Sequence, residues 1–427
     1  MYGEGSLIPV EVQYGSGVVR ADLSPGWRVA EPKGEGAEPL SDCEKEIHQI
    51  LDEPIGAEPF DKIFSEKRSI TIIVPDKTRK GGVNIILPIL LERLHRAGIE
   101  DSGITIVFAL GIHAKQTDGE RESIVGSDVF KRYRCIDHDC RGEGIDIGTV
   151  GGERLIINKD VADADGVIVI SGVKPHYLAG FGGGRKSILP GVASYDNALS
   201  YHRLSLDAKS HGRHPKVKPL NLDRNPMHDQ AVEAARIAGV DFYINTVVDE
   251  KGTICFVSGG GDESFNTACD FSKSVSTLEI ERKADVVIAS CGGYPGDLNF
   301  IQAHKSLDSA CMAVKDGGVV ILVAECRDGI GNDTFLNWFD YGSADSIGIA
   351  LRESFEINGQ TAMAVREKSS AFKILLLSKL DVGDALRMGI APIKTLTDGI
   401  AIAEKIIGSN ATTLILQNGS AFLPVVR

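Results

Sequence analysis

The chain has 427 residues, 43% hydrophobic and 25% charged, which is the composition of an ordinary globular protein. A formal net charge of -13 without any basic run argues against nucleic acid and anionic membrane surfaces as partners. No apolar stretch reaches the roughly 18 residues of a membrane span, no signal-peptide pattern is present, and the eight cysteines lack disulfide-like spacing, so we expect a cytoplasmic protein with reduced thiols.

The predicted elements alternate between strands and helices. Residues 11–23 alternate apolar and polar side chains, which predicts an exposed antiparallel hairpin, and an acidic helix is expected near Asp42–Leu51. Helical patterns at Asn84–Ala97 and Pro226–Ala238 lie between apolar, β-branched runs that are typical of buried parallel strands. These runs are Ser69–Val74, Ile104–Leu110, Gly166–Ile170, Asp285–Ala289, Val319–Val323 and Phe372–Leu377.

This order predicts an α/β fold of two domains, each with a mainly parallel sheet flanked by helices, and an active site in the interdomain cleft. A polar stretch at 258–274 precedes a fresh strand near Ala284. We therefore expect residues 1–272 to form an N-terminal cofactor-binding and catalytic domain. Residues 273–427 would form a C-terminal α/β domain, with the last residues able to pack back on the N-terminal domain.

Polar residues follow several predicted strands, where ligands of parallel sheets bind. His113 and His176 occupy such positions and are candidates for general bases, because the pKa of histidine is ordinarily near ~6.5. A lone histidine there more often caps a loop. Two at equivalent strand ends, beside Asp76 and Arg79, favour a site.

The segment 177–194 is dense in glycine and predicts an anion-binding loop, because backbone N–H groups and cations together suit phosphate or carboxylate. Its central residues are Gly182, Gly183, Gly184, Arg185 and Lys186. The segment is not a P-loop, since Arg185 stands where that motif requires glycine, and no G-x-G-x-x-G occurs in the chain. The alternative is a glycine-rich turn with solvated basic residues, but three glycines cost more backbone entropy than a turn needs.

Two further segments carry weaker signals. Cys135, His138 and Cys140 lack zinc-site spacing and predict a loop with buried thiols. His202 falls in a predicted helix at 195–206 and, taken alone, is a surface or core histidine.

A helix beginning near Asn299 would turn Gln302 and Lys305 towards one face, although routine helix capping explains that segment equally well.

In chain order, PDKTR, GIH, KPHYLAGFGGGRKSILPG, YHR and GGYPGDLNFIQAHK resemble the nickel-pincer lactate racemase family of 2-hydroxyacid racemases and epimerases. The resemblance covers residues 45 to 340 approximately, and HxxAGFGGGRKSxLPG is its most specific part.

The resemblance implies a cofactor: a pyridinium-3-thioamide-5-thiocarboxylic acid mononucleotide that holds nickel in a sulfur-carbon-sulfur pincer. Cofactor-synthesis enzymes would supply it, and Lys186 would be its covalent attachment point. His202 would be the protein ligand to nickel, which suits imidazole. The glycine loop, with the turn containing Asp76 and Thr78, would grip the nucleotide.

The reaction implied is a proton-coupled hydride transfer that passes through a planar 2-keto acid. His113 and His176 would act as bases on opposite faces of a small 2-hydroxy acid. Arg79 and Lys305 would bind its carboxylate, and Gln302 would add a hydrogen bond. A homo-oligomer is compatible with the sequence.

Three positions depart from the family pattern. Ile301 stands where lactate racemases carry tyrosine, His304 stands where an apolar residue is usual, and no tryptophan lies near Gln360. These departures predict an altered substrate pocket and a hydroxy acid that differs from lactate in size or polarity, with sugar acids and dicarboxylates included.

Other classes fit less well. An NAD-like-nucleotide-dependent 2-hydroxyacid dehydrogenase predicts a dinucleotide fingerprint that the chain lacks. A non-catalytic nucleotide-binding protein accounts for Lys186 but gives no reason for both His113 and His176. A metal-dependent hydrolase requires a compact His/Asp cluster, which the sequence does not show.

Overall fold

The computed structural model of the chain describes residues 8–34, 36–207, 209–249 and 251–427. The chain divides into two compact units. The unit called here the middle unit consists of Glu35–Ser205 and His214–Val275. The unit called here the terminal unit consists of Met1–Gly34, Leu206–Arg213 and Ser276–Arg427.

The strands alternate with helices along most of the chain. They are β1 (Pro9–Tyr14), β2 (Gly17–Asp22), β3 (Arg28–Ala30), β4 (Ile70–Pro75), β5 (Ile104–Ala109), β6 (Arg134–Asp137), β7 (Gly144–Val150), β8 (Glu153–Asn158), β9 (Gly166–Gly172), β10 (Pro175–His176), β11 (Gly180–Phe181), β12 (Phe242–Val248), β13 (Ile254–Gly260), β14 (Thr277–Ile280), β15 (Ala284–Ser290), β16 (Val314–Val323), β17 (Lys373–Leu377), β18 (Ala391–Ile393), β19 (Thr412–Leu416) and β20 (Leu423–Val426).

The helices are α1 (Cys43–Asp52), α2 (Phe60–Phe64), α3 (Val83–Arg96), α4 (Asp118–Val125), α5 (Ser127–Arg132), α6 (Lys159–Ala162), α7 (Tyr195–Arg203), α8 (Pro226–Ile237), α9 (Asp262–Ser276), α10 (Phe300–Ala313), α11 (Ala344–Glu353), α12 (Ile357–Ala371), α13 (Val382–Arg387) and α14 (Leu396–Ile407). Short 3-10 helices cover Asp101–Gly103, Gly184–Ser187 and Phe335–Tyr341. Among the described residues, none of these helices combines the length and the apolar character needed to cross a bilayer.

The middle unit is built on a six-stranded sheet in the order β13-β12-β9-β4-β5-β6. Every neighbouring pair is parallel except β12 and β13. All six residues of β4 are buried, as expected of a central strand covered on both faces. One apolar core includes Ile72 and Phe108, and a second includes Ile73 and Val107, so alternate residues of the same strands enter different cores.

The terminal unit contains a second six-stranded sheet, in the order β18-β17-β16-β15-β19-β3, and all of its neighbouring strands are parallel. The sheet joins both ends of the chain, because β3 pairs with β19. Trp27, 3% exposed, lies in the same core as Ile321 and Ile400. Burial of each such side chain contributes roughly 1.5–3 kcal/mol.

The sequence therefore predicts the α/β class correctly, and the predicted strands and helices are present with ends shifted by a few residues. The hairpin expected at residues 11–23 is the antiparallel pair β1 and β2.

The division of the chain differs from the expected boundary at 272 and 273 in three respects. It falls at 275 and 276, and both residues 1–34 and residues 206–213 group with the terminal unit. For residues 1–34, the pairing of β3 with β19 is the physical reason. The last residues likewise stay in the terminal unit, where β20 pairs with β14.

Candidate active site

Three adjacent parallel strands of the middle unit, β9, β4 and β5, end at the same edge of the sheet. The chain continues from them into the segments that contain His176, Asp76 and His113, respectively. The structure therefore brings the predicted strand-end residues of the middle unit to one edge, as the carboxyl ends of parallel strands must.

His113 and Asp76 form a hydrogen-bonded pair. Nδ1 of His113 lies 2.5 Å from Oδ2 of Asp76, whose side chain is 4% exposed, while half of the His113 side chain is exposed. The backbone N–H and the hydroxyl of Thr78 donate to Oδ1 of Asp76, at 2.9 and 2.6 Å. Burial alone would raise the pKa of Asp76, but the hydrogen bonds from His113 and Thr78 outweigh it and lower that pKa.

The sequence predicts that Asp76 and Thr78 bind the cofactor, and in the structure their side chains also bond to neighbouring protein groups. The Thr78 hydroxyl donates a hydrogen bond to Asp76, and the Asp76 carboxylate is hydrogen-bonded to the His113 ring. These two residues therefore fix the His113 ring. Arg79, whose backbone N–H donates to the Asp76 carbonyl, is exposed at this edge.

His176 follows the end of β9, the strand next to β4, and its side chain lies beside that of Lys186. Its Nδ1 accepts the backbone N–H groups of Leu178 and Ala179, both at 3.2 Å, and its Nε2 lies 3.5 Å from Nζ of Lys186. Burial, followed by the charges of Lys186 and Arg79, lowers the pKa of His176 well below its usual value. A neutral ring is the result.

Lys186 is surrounded by protein yet keeps some accessible surface. Its Nζ donates to the hydroxyl of the fully buried Tyr201 at 3.3 Å and lies 5.1 Å from the centre of that ring. Burial, then the positive charges of Arg79 and Arg185, lowers the pKa of Lys186 well below its usual value. A lowered pKa makes the amine easier to deprotonate, and the deprotonated amine is the nucleophilic form.

His202 lies near the end of α7, in the helix that the sequence predicted. Its Nδ1 donates to the Ala198 carbonyl at 2.7 Å, so the lone pair of the neutral ring is on Nε2. Burial, followed by the charge of Lys186, lowers the pKa of His202 to about 4. The ring therefore offers one neutral imidazole nitrogen, which is the form that binds a metal.

The glycine loop owes much of its composition to its own packing. Gly183 and Gly184 have φ angles of +85° and +53°, and a Cβ on Gly184 would lie 2.5 Å from the Phe265 ring. The N–H of Gly184 donates to the Ser171 hydroxyl at 2.6 Å, and that of Gly182 donates to the Lys174 carbonyl at 2.8 Å. Two of the glycine N–H groups predicted to bind an anion therefore already donate to protein acceptors that precede the loop.

Arg185 differs most from the sequence prediction of an anion-binding cation. It is 3% exposed, its guanidinium donates to the carbonyls of Ala179, Phe181 and Gly183, and it stacks 4.0 Å from the centre of the Phe265 ring. Its Nε also donates to Nδ1 of a histidine in α8 at 3.0 Å. Arg185 therefore shapes the loop from beneath instead of facing a ligand.

Gln302 and Lys305 lie in the terminal unit, on the exposed side of α10, where Nζ of Lys305 donates to Oε1 of Gln302 at 2.7 Å. Asn299 is the N-cap of this helix and accepts the backbone N–H of Gln302 at 3.0 Å, so ordinary capping accounts for Asn299.

Two of the three departures from the family pattern are interior residues. His304 is 4% exposed and its Nδ1 donates to the Ile301 carbonyl at 2.5 Å, while Gln360 is fully buried. A buried side chain does not change the polarity of a pocket surface. The expectation that these departures reshape the pocket therefore rests on Ile301, which is partly exposed.

The sequence also missed residues that support the site. Tyr201 contacts Lys186 and Ser171 holds the glycine loop, yet neither received a role. Tyr201 directly precedes His202 in the YHR segment, which was the available signal. At Cys135 and Cys140 the expectation of buried thiols was wrong, because both are partly exposed and His138 is the buried residue. All eight cysteines are free, as expected.

The fold and this site define a two-unit α/β protein in which His176 lies beside the partly buried Lys186 and His113 is bonded to Asp76. Family models described as the lactate racemase N-terminal domain and C-terminal domain match residues 14–213 and 280–423. A lactate racemase of Thermoanaerobacterium thermosaccharolyticum is 31% identical over 96% of this chain and 97% of its own length. One of Lactiplantibacillus plantarum is 36% identical over 68% of each chain. The chain belongs to the lactate racemase family, and so to a family of isomerases.

Solved structures agree with the family assignment. The apoprotein structure of the lactate racemase from Thermoanaerobacterium thermosaccharolyticum has a TM-score of 0.87 at 29% identity, covering 98% of this chain and 100% of that one. A Thermotoga maritima protein of 18% identity has a TM-score of 0.65, covering 92% of this chain and 100% of that one, which shows a shared fold only.

The residues present fit the cofactor that the sequence resemblance implied. Lys186 offers an amine whose pKa is lowered, His202 offers one imidazole nitrogen, and Arg79 offers an exposed cation. Across the described part of the chain, no group of three or more His, Cys, Asp or Glu residues is arranged to hold a metal ion.

Proposed function

We propose that the protein is a cytoplasmic racemase or epimerase of a 2-hydroxy acid, working with a nickel-pincer pyridinium nucleotide attached at Lys186. The observation that carries the proposal is the arrangement of Lys186 with its Nζ at 3.3 Å from Tyr201 and 3.5 Å from His176. A lysine whose pKa is lowered by these surroundings loses its proton more readily, which suits it to form a bond with a carbonyl-type carbon.

When bound, the nucleotide supplies a reversible acceptor for the α-hydride of the substrate. His202 would hold the nickel through Nε2, and Arg79 would bind an anionic group of the substrate. His113 and His176 would act as bases that accept the proton of the substrate hydroxyl and return it. Gln302 and Lys305, on the exposed side of α10, would contact the substrate carboxylate.

The substrate class follows from the relatives, which are named lactate racemases. Because His304 and Gln360 are interior residues, they give little reason to exclude lactate. Lactate is therefore the first acid to be tested. If the substrate has a side chain other than the methyl group of lactate, Ile301 is the residue that would accommodate it.

The test is coexpression with cofactor-synthesis enzymes, intact-mass and peptide analysis, and chiral analysis of a panel of 2-hydroxy acids. We expect an adduct on the Lys186 peptide and racemisation of at least one acid. With a C2-deuterated substrate in ordinary water, the product should keep its deuterium because a hydride returns to the same carbon. Washout of the label would contradict hydride transfer, and net formation of 2-keto acid would indicate a dehydrogenase.

A further inference from the structure

The centre of β12 contains two polar residues in a strand whose other residues are apolar or aromatic. The strand reads FYINTVV, and Asn245 and Thr246 are both 0% exposed. Burying an amide or a hydroxyl costs free energy unless its groups are hydrogen-bonded, so both side chains require specific partners. The Thr246 hydroxyl donates to the Gly81 carbonyl at 3.0 Å, and Asn245 belongs to a longer chain of hydrogen bonds.

This chain of hydrogen bonds runs from the glycine loop to the beginning of α9. The backbone N–H of Gly184 donates to the Ser171 hydroxyl at 2.6 Å, and that hydroxyl donates to Oδ1 of Asn245 at 3.2 Å. Nδ2 of Asn245 donates to the Ser264 hydroxyl at 3.1 Å, which in turn donates to the Gly261 carbonyl at 2.7 Å. Ser171, Asn245 and Ser264 are each at most 2% exposed, so bulk water does not replace a missing partner.

The two ends of the chain fix its direction. It begins at a backbone N–H, which only donates, and it ends at a backbone carbonyl, which only accepts. Each serine hydroxyl has one hydrogen, so Ser171 has to donate to Asn245, and Ser264 has to accept from it. The side chain at position 245 must therefore accept on one side and donate on the other, and the amide of asparagine does both.

At the loop end, the chain holds the turn that contains Lys186. Gly184 is the first residue of the 3-10 helix Gly184–Ser187, and N–H groups at the beginning of a helix lack a partner within it. The Ser171 hydroxyl supplies that partner. The Lys186 N–H closes the same turn by donating to the Gly183 carbonyl at 3.2 Å, and a Cβ on Gly183 would lie 3.1 Å from the Ser171 oxygen. The backbone of Lys186 is thus tied to Ser171 through two neighbouring glycines.

We propose that Asn245 is a positioning residue for Lys186. By directing the Ser171 hydroxyl, it keeps an acceptor in place for the Gly184 N–H and fixes the turn from which the Lys186 side chain extends. The catalytic relevance rests on the proposed function, because the attachment of a cofactor at Lys186 is what would depend on this turn. The hydrogen-bond chain itself does not depend on a cofactor.

Ser258 offers a matched control. Its hydroxyl donates to the backbone carbonyl of Ser264 at 2.8 Å, and the residue is 1% exposed. Ser258→Ala therefore removes a buried hydroxyl beside Ser264 but leaves every donor and acceptor between Gly184 and Gly261 in place. Ser264→Ala removes the acceptor for Nδ2 of Asn245. We expect the two variants to lose similar amounts of overall stability, because each loses a buried hydrogen bond.

The first experiment measures exchange of the Gly184 amide hydrogen by NMR in protein without cofactor. Ser264→Ala should speed this exchange about 3- to 10-fold, the effect of weakening roughly one hydrogen bond, and Ser258→Ala should change it by less than about twofold. Equal acceleration in both variants would assign the effect to overall stability and overturn the proposal. Unchanged exchange in Ser264→Ala would overturn it as well.

A second pair of variants changes position 245 itself. Asn245→Asp keeps an acceptor for the Ser171 hydroxyl and should retain most of the protection of the Gly184 amide, although a buried carboxyl group lowers overall stability. Asn245→Leu offers no acceptor and should speed the exchange about tenfold. If the Gly184 amide exchanges equally fast in the two variants, Asn245 does not direct Ser171 and the proposal is wrong.

Mass spectrometry of the Lys186 peptide, after coexpression with cofactor-synthesis enzymes, gives the functional readout. The fraction carrying an adduct should fall about threefold or more in Ser264→Ala and Asn245→Leu, in step with the faster exchange, and should stay at the wild-type level in Ser258→Ala. A wild-type fraction in all three variants would contradict the positioning role. Failure of the proposed function looks different: the wild-type protein then carries no adduct on Lys186, whereas the exchange of Gly184 still shows whether Asn245 holds the turn.

Discussion

Gly182 and Gly184 lie two residues apart, but substitution by alanine should destabilise the protein only at Gly184. In Gly184→Ala, the φ of +53° costs about 1–2 kcal/mol for a residue with a Cβ. The new Cβ, 2.5 Å from Phe265, adds an overpacking cost of about 1–3 kcal/mol. The expected destabilisation of the middle unit is therefore about 2–5 kcal/mol.

Gly182→Ala is the matched control. Gly182 has no positive φ, and the nearest atom to its Cβ position is the Lys174 carbonyl oxygen at 3.8 Å. Its free energy of unfolding should change by no more than about 0.5 kcal/mol. A methyl group there projects into open space above the loop, so we expect less adduct on Lys186 when the variant is coexpressed with cofactor-synthesis enzymes.

Thermal unfolding and amide hydrogen exchange of middle-unit peptides measure the difference in stability between the two variants. Tryptophan fluorescence is unsuitable, because Trp27 and Trp338 both lie in the terminal unit and report on that unit. At about 2–4 °C for each kcal/mol, Gly184→Ala should melt about 4–20 °C below the wild type. Equal melting temperatures for the two variants would refute the packing argument, since only Gly184 is enclosed.

Three further predictions concern charged groups. Asp76→Asn removes the acceptor that keeps the proton on Nδ1 of His113, so kcat of the loaded enzyme should fall by about 10²–10⁴-fold with little change in KM. Burial lowers the pKa of His304 to about 4, whereas an unfolded histidine titrates near ~6.5. Lowering the pH from 7 to 5 therefore protonates mainly the unfolded chain and should cost about 2 kcal/mol of stability, a loss that His304→Leu should reduce in unfolding curves. Lys368→Met leaves the Asp308 carboxylate buried without its partner at 2.5 Å and should cost about 3–5 kcal/mol, measured by denaturant unfolding.

Each of these predictions has a contradicting result. Full activity in Asp76→Asn would show that Asp76 does not direct the His113 ring. An identical loss of stability between pH 7 and 5 in His304→Leu would assign that loss to other groups. For the ion pair, the Asp308→Leu/Lys368→Met double variant is the control, because it removes both charges and should recover most of the lost stability.

The sequence was sufficient for features that depend on local pattern. The β-branched run at 69–74 predicted β4, and the cap and glycine around 226–239 predicted α8. Neighbouring strands of a parallel sheet end together, so the meeting of His113 with Asp76 at one edge also followed from position along the chain.

Features that depend on distant pairing or on side-chain direction could not be predicted in this way. The partner of β3 is β19, and no local signal joins the two. Arg185 follows three glycines in sequence, yet its side chain turns inward, because the carbonyls of Ala179, Phe181 and Gly183 form a buried acceptor set for it. Burial of His304 and Gln360 likewise depends on the packing of α10 and α12.

The pairing of β3 with β19 has a consequence for how the protein is made. The ribosome synthesises β3 well before β19. The edge strand β3 of the terminal sheet therefore has no partner strand until β19 has emerged. The middle unit is complete once residue 275 has emerged, and domains generally fold as units during translation. The sheet of the middle unit can thus be assembled while β3 still lacks β19, and the terminal unit is completed last.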